Sequence, residues 1–65
     1  MVRTEYTITD MYRAAPHGPY VYMFEGKSSM TKPIDDLIAT GSTCYDIDTQ
    51  EAYKYDADTN TWIQQ

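Results

Sequence analysis

The sequence contains one cysteine and one histidine, Cys44 and His17, and these two side chains could combine as a nucleophile and a base. A thiol nucleophile needs an imidazole and an orienting group within hydrogen-bond reach. No spacing in the sequence brings His17, in the turn-forming run 16–19, close to Cys44. A cysteine in a strand is more often a small buried hydrophobe, so we predict no catalysis by this pair and no enzymatic activity.

A possible cation site is indicated by Asp56, Asp58 and Asn60, which stand at alternate positions as in the first half of an EF-hand calcium loop. Thr61 stands where that loop requires glycine, and the bidentate glutamate of the loop has no counterpart. Asp and Asn at such positions usually bond the backbone of a turn. The sequence also has too few soft ligands for zinc, so we predict no metal site and no cofactor.

Aromatic and acidic side chains are the remaining candidates, and their chemistry suits an interaction surface. The acids could imitate nucleic acid toward a basic partner, but a solvated sheet edge whose charges discourage edge pairing explains them more simply. The aromatic residues of the C-terminal part could either close the core or meet a partner. The candidate interaction residues are Tyr20, Tyr22, Tyr53, Tyr55, Trp62, Asp46, Asp48, Asp56 and Asp58.

Composition limits the classes of function that are open to the chain. The 65 residues predict a single domain, 1–65, whose small core gains from good packing, a partner or self-association. The formal net charge is −5, and residues 42–65 hold five acids against one lysine, so −4 of that charge falls there. We therefore expect no direct nucleic-acid binding, because phosphate contacts need lysine and arginine. No apolar targeting segment or membrane span is recognisable, so we expect no membrane partner.

Two similar six-residue motifs occur in the C-terminal part of the chain. Y-D-x-D-T-Q begins at Tyr45 and Y-D-x-D-T-N begins at Tyr55, and each reads as a strand end that runs into a polar turn. We predict strands over 42–47, 52–55 and 62–64 in an antiparallel meander. The sequence leaves the register open; if Tyr55 lies opposite Trp62, the two rings form a cross-strand aromatic pair. Successive turns of a meander lie at opposite ends of the sheet, so the two acidic turns should not form one site.

The N-terminal part is expected to add two strands and two short helical turns. Apolar and polar side chains alternate over residues 3–9, which is typical of a strand. Residues 20–24 are apolar on both faces, which indicates a strand that is interior or covered on both sides. A helical turn is predicted over 11–15, before Pro16, and another over 32–41, where an irregular loop with one turn is the alternative. The sequence thus predicts a mainly β domain, an antiparallel meander of about five short strands with one or two helical turns.

Short motifs are spread over about two thirds of the chain: Tyr20–Phe24, Gly26-Lys27-Ser28, Thr31-Lys32-Pro33, Gly41-Ser42, Ile47-Asp48-Thr49, Tyr53-Lys54-Tyr55-Asp56 and Thr59-Asn60-Thr61-Trp62. Together they resemble the pattern of a group of small proteins encoded by tailed bacteriophages. One departure is Gln50, where similar proteins often carry a turn glycine.

The resemblance implies a phage protein, commonly encoded near virion structural genes, without a settled biochemical activity. We therefore expect a non-enzymatic protein that acts by protein–protein contact, as a small virion-associated or assembly component. Its partner would be a second copy of itself, in a homo-oligomer, or another phage or host protein. The alternative is an inhibitor of a host defence nuclease that uses the acidic segment 42–65 to imitate nucleic acid. The expected location is the virion or the host cytoplasm.

Overall fold

A computed structural model describes residues 2–14, 16 and 18–65, and in it five strands form one mixed sheet. The strands are β1 (Thr7–Arg13), β2 (Tyr20–Gly26), β3 (Thr43–Asp46), β4 (Glu51–Asp56) and β5 (Thr61–Gln64), and they lie side by side in chain order. The pairs β1–β2, β3–β4 and β4–β5 are antiparallel, whereas β2–β3 is parallel. The predicted mainly β class with five short strands is confirmed, and the parallel pair is the departure from a pure meander.

Strand β1 corrects the first of the two helical predictions. Met11, Tyr12 and Arg13 were expected in a helical turn, but they pair with β2 in an antiparallel ladder. The fourth and fifth positions of that turn are Ala14, which follows the strand, and residue 15, which lies outside the described residues. Pairing with β2 therefore prevails over the local capping signal, and a bulge between Ile8 and Asp10 shifts the register of the ladder.

The crossover between β2 and β3, residues 27–42, corrects the second helical prediction. No helix occurs among the described residues, and the irregular loop with one turn, the stated alternative, is what is found. Ile38 N–H donates to the carbonyl of Asp35 in that turn. Tyr20 then donates its N–H to Leu37 and accepts from Ala39, which makes Ile38 a parallel bridge partner of Tyr20. Pairing with β2 replaces a helix that is too short to be stable on its own.

The crossover and the N-terminal segment 2–6 lie over one side of the sheet, which we call the covered face. Successive side chains of a strand point to opposite sides, so alternate residues of each strand enter the core there. The core is formed by Val2, Tyr6, Tyr22, Phe24, Ile38, Cys44 and Tyr55, with Ile8, Tyr20, Met30, Tyr53, Ala57 and Trp62 packed against it. Of the two possibilities expected for β2, the structure shows the first: β2 is an interior strand, and it is covered on one side only, because Met23 points the other way and stays exposed.

The two acidic turns lie at opposite ends of the sheet, as predicted, because β4 runs antiparallel to both of its neighbours. Gln50 in the first turn and Asn60 in the second both have a positive φ, at 57° and 54°. Asparagine tolerates this left-handed conformation better than most residues, and glutamine does not share that advantage. Each turn therefore contains one residue in the left-handed conformation, and asparagine suits this position better than glutamine does.

Candidate functional site

The possible nucleophile, Cys44, lies in the centre of the covered face. Its side chain is fully buried, and this burial raises the pKa of the thiol to about 11. His17 lies outside the described residues. At neutral pH the thiol is protonated and shielded from solvent, and a protonated thiol is a poor nucleophile.

The aromatic candidates close the core. Tyr22 and Tyr55 are buried, and Tyr20, Tyr53 and Trp62 are partly buried against the same cluster. The rings of Tyr22 and Phe24 stack with their centroids 5.2 Å apart. Of the two roles left open by the sequence, the structure therefore supports core formation, and the side chains of Tyr22 and Tyr55 are not available to a partner.

The structure settles the register that the sequence left open: Tyr55 lies opposite Trp62, with the ring centroids 4.8 Å apart. Trp62 also donates its indole N–H to the carbonyl of Pro33 at 2.8 Å. Tyr55 donates its hydroxyl to Oδ1 of Asn60 at 3.1 Å. The first bond connects β5 to the crossover, and the second connects β4 to the turn between β4 and β5. The aromatic pair therefore holds the C-terminal strand to the covering layer.

Asp46, predicted at the surface, is a buried carboxylate with 1% of its area exposed. Its Oδ2 accepts from Nζ of Lys32 at 3.0 Å, and its Oδ1 accepts from the hydroxyl of Tyr6 at 2.7 Å. A buried carboxylate needs a charge partner and hydrogen bonds to offset its lost hydration, and here it has both. Asp46 is thus part of the packing rather than of an acidic surface.

Lys32 and Tyr6 are the residues of this cluster that the sequence did not indicate. Nζ of Lys32 lies 4.2 Å from the ring centroid of Tyr53, in cation–π geometry. Burial, followed by the hydrogen bond to Asp46, raises the pKa of Tyr6 far above its ordinary value. One signal was available in the sequence, because Asp46 has the same strand parity as Cys44 and so must point to the same face.

The other three acidic candidates serve the turns. Asp48 accepts from the side-chain hydroxyl of Ser28 at 2.7 Å and from its N–H at 2.9 Å, and these bonds lower the pKa of Asp48. Asp56 accepts from the N–H of Asp58 at 3.0 Å, which is an Asx turn. Among the residues that the structure describes, no three histidine, cysteine or acidic side chains come together as a group that could hold a metal ion.

A groove of about 490 Å³ runs between the N-terminal segment and the crossover. Arg3, Lys32 and Ile34 are among its lining residues. The amino group of Lys32 is already bound to Asp46, so it is not free for an anionic ligand. We assign no ligand to this groove.

The side of the sheet that the crossover leaves uncovered, which we call the open face, is the surface that the sequence did not indicate. Its exposed apolar side chains are large: Tyr12 is 55% exposed, Met23 39%, Tyr45 38% and Ile63 51%. The strand register places Met23, Thr43, Lys54 and Ile63 in one row across β2 to β5. Tyr45 and Ala52 lie in the next row. The solvent side of a sheet is normally polar, whereas here large apolar side chains stand among polar ones such as Thr43, Lys54 and Glu25.

No helix in the described part of the chain is both long and apolar enough to cross a membrane. Comparison with known proteins gave no matching family model, no matching curated protein and no matching solved structure. The resemblance to small phage proteins therefore stays a prediction that rests on the short motifs quoted above.

Proposed function

We propose that this protein acts by protein–protein contact through its open face, as a non-enzymatic, virion-associated or assembly component of a bacteriophage. The observation that carries the proposal is the exposure of Tyr12, Met23, Tyr45 and Ile63 on one side of one sheet. Scattered apolar side chains are normal on a protein surface, but a cluster on one face marks a contact site.

The size of the domain supports the same proposal. A chain of 65 residues buries a smaller fraction of its surface on folding than a larger domain does, about 60%, so an apolar face left in water is a considerable part of its total apolar area. Covering that face with a partner adds hydrophobic stabilisation of about 25 cal/mol for each Å² removed from water. An assembly component gains both its position and part of its stability in this way.

The phage context of the proposal comes from the resemblance to small tailed-phage proteins. The rival function, inhibition of a host defence nuclease by an acidic surface, has less support from the geometry. Asp46 is buried against Lys32, and Asp48 lies at the opposite end of the sheet from Asp56 and Asp58. The acids that remain exposed in the segment 42–65 are therefore divided between two ends rather than arranged along one groove-filling surface.

Incorporation into particles tests the proposal. In phage particles purified from cells that express the chain, mass spectrometry should find it at a constant ratio to the major structural proteins. Met23→Asp, which places a charge in the centre of the open face, should abolish incorporation. Ile34→Asp is the matched control, because Ile34 is 64% exposed but belongs to the crossover over the covered face.

Two results would contradict the proposal. One is the absence of the native chain from purified particles. The other is equal incorporation of the two variants, because the open face would then not be the surface that makes the contact.

A further inference from the structure

We infer that the open face binds a second copy of this chain, sheet against sheet, around a two-fold axis that runs along β3. The inference rests on the proposed function, because it names the partner of the same surface. A two-fold contact uses one patch on both copies, so each patch must complement itself. The strand order and the positions of Lys54 and Glu25 on the open face meet that condition.

The strand order provides the geometry. β3 is the middle strand, with β2 on one side and β4 on the other. A two-fold axis along β3 places β4 of each copy over β2 of the other copy and keeps residues in their rows. Tyr45, on β3, then lies close to the axis and meets Tyr45 of the second copy. Two sheets packed in this way are separated by about 10 Å, which large side chains from both faces fill.

Lys54 and Glu25 of the open face complement each other under the same rotation. Lys54 on β4 shares its row with Met23 of β2, and Glu25 of β2 lies one row further along the strand. The axis therefore brings Lys54 of one copy over Met23 of the other copy, about 6–7 Å along the strand from its Glu25, which a flexible lysine side chain can span. Among the described residues, the one ion pair joins Lys32 to Asp46, so Lys54 and Glu25 have no such partner within a single copy.

The area of the open face sets the expected strength. Five strands at about 4.8 Å spacing, with an average length of roughly 18 Å, give on the order of 400–600 Å² for each copy. The two copies together would bury roughly 1,000 Å², which is the lower end for specific interfaces. We therefore expect a reversible dimer with micromolar dissociation rather than a permanent one.

Sedimentation equilibrium of the purified chain between about 1 μM and 1 mM is the first measurement. It should show a monomer–dimer equilibrium. Lys54→Glu should raise the dissociation constant about tenfold or more, because two like-charged pairs would replace two opposite ones. Glu25→Lys should do the same. Lys27→Glu makes the same change of net charge as Lys54→Glu on the exposed part of the crossover, and it should leave the equilibrium within about twofold of the native one.

Mixing the two charge variants gives the decisive result. A mixed dimer contains one Lys54→Glu chain and one Glu25→Lys chain. On one side of its axis the two substituted positions would face each other with their charges exchanged, and on the other side the native Glu25 and Lys54 would meet. Both pairs would again be opposite in charge. The mixture should therefore dimerise within about threefold of the native strength, although each variant alone is weakened.

The possible results distinguish failure of the dimer from failure of the proposed function. A chain that stays monomeric up to about 1 mM, or a mixture of the two charge variants that dimerises no better than either alone, would overturn the inference. If the chain is monomeric while Met23→Asp still blocks incorporation into particles, the inference falls and the proposed function stands, with a different protein on the open face. If the chain dimerises as described while Met23→Asp is incorporated normally, the proposed function falls and the dimer stands.

Discussion

Replacing Asp46 with asparagine tests whether the buried ion pair holds the covering layer on the sheet. The carboxylate of Asp46 accepts from Lys32 at 3.0 Å and from the hydroxyl of Tyr6 at 2.7 Å. Asparagine has nearly the same shape but no charge. The change therefore leaves the packing in place and leaves the ammonium of Lys32 without its counter-charge in a largely apolar setting.

The expected loss of stability follows from the burial of the two partners. Removing one member of a buried ion pair costs about 3–5 kcal/mol, because the other charge is left uncompensated. Lys32 keeps 19% of its side-chain area exposed, so water can partly solvate it, and we expect a loss of about 2–3 kcal/mol. A domain of 65 residues has a total unfolding free energy of roughly 3–10 kcal/mol. The Asp46→Asn variant should thus lose a large share of its stability, with Tm lowered by about 10–20 °C.

Urea denaturation followed by the fluorescence of Trp62 measures this loss, since Trp62 is the one tryptophan of the chain and packs against the core. Asp58→Asn is the matched control, because Asp58 is an acid of the second turn without a buried charge partner, and it should change the unfolding free energy by less than about 0.5 kcal/mol. In a double-mutant cycle with Lys32→Met, the double variant should be more stable than the sum of the single losses predicts, by at least about 1 kcal/mol. An Asp46→Asn variant as stable as the native chain, or a coupling near zero, would refute the reasoning.

Two further predictions concern the buried groups of the core. Cys44 should react with a thiol reagent at about pH 8 only when the chain unfolds, because it is buried with its pKa raised to about 11; equal rates for folded and urea-unfolded chain would contradict this. Folding raises the pKa values of both Cys44 and Tyr6, so the unfolded chain releases these protons at lower pH than the folded chain does. Stability from these groups should thus be fully present below about pH 8.5 and fall above it, by up to about 1.4 kcal/mol per pH unit for each group. Urea midpoints measured from about pH 7 to about pH 11 would show this decline, and a constant midpoint would argue against it.

The parts of the fold that the sequence predicts well are those set by neighbouring residues. The aromatic and apolar run of β2 and the two turn motifs in the C-terminal part depend on local backbone chemistry, and these strands lie close to their predicted positions. The helical punctuation around Pro33 and Gly41 is also local, but it was overridden. Leu37 and Ala39 bond to the backbone of Tyr20 instead, and such a long-range pairing leaves no periodic signal in the sequence.

In the candidate site, too, local features are predictable from the sequence and long-range contacts are not. Asp46 carries a strand parity that points it to the core, yet the lysine that makes this position tolerable is Lys32, in the crossover rather than in a neighbouring strand. Tyr6 comes from the opposite end of the chain. The exposure of the open face was not predicted for a related reason, because Met23 and Tyr45 are residue types that usually lie in a core. Which side of the sheet is covered depends on the path of the crossover, and the strand sequences do not specify that path.

The parallel junction between β2 and β3 also divides the assembly of the chain into two stages. The β1–β2 hairpin and the β3–β4–β5 meander each pair strands that are consecutive in the chain, and hairpins form within about 1–10 μs. Joining them requires the crossover to fold back so that Ile38 meets Tyr20, at an entropic cost that local pairs do not carry. We therefore expect the rate of folding to be governed by this one closure, after which the two halves become a single cooperative sheet.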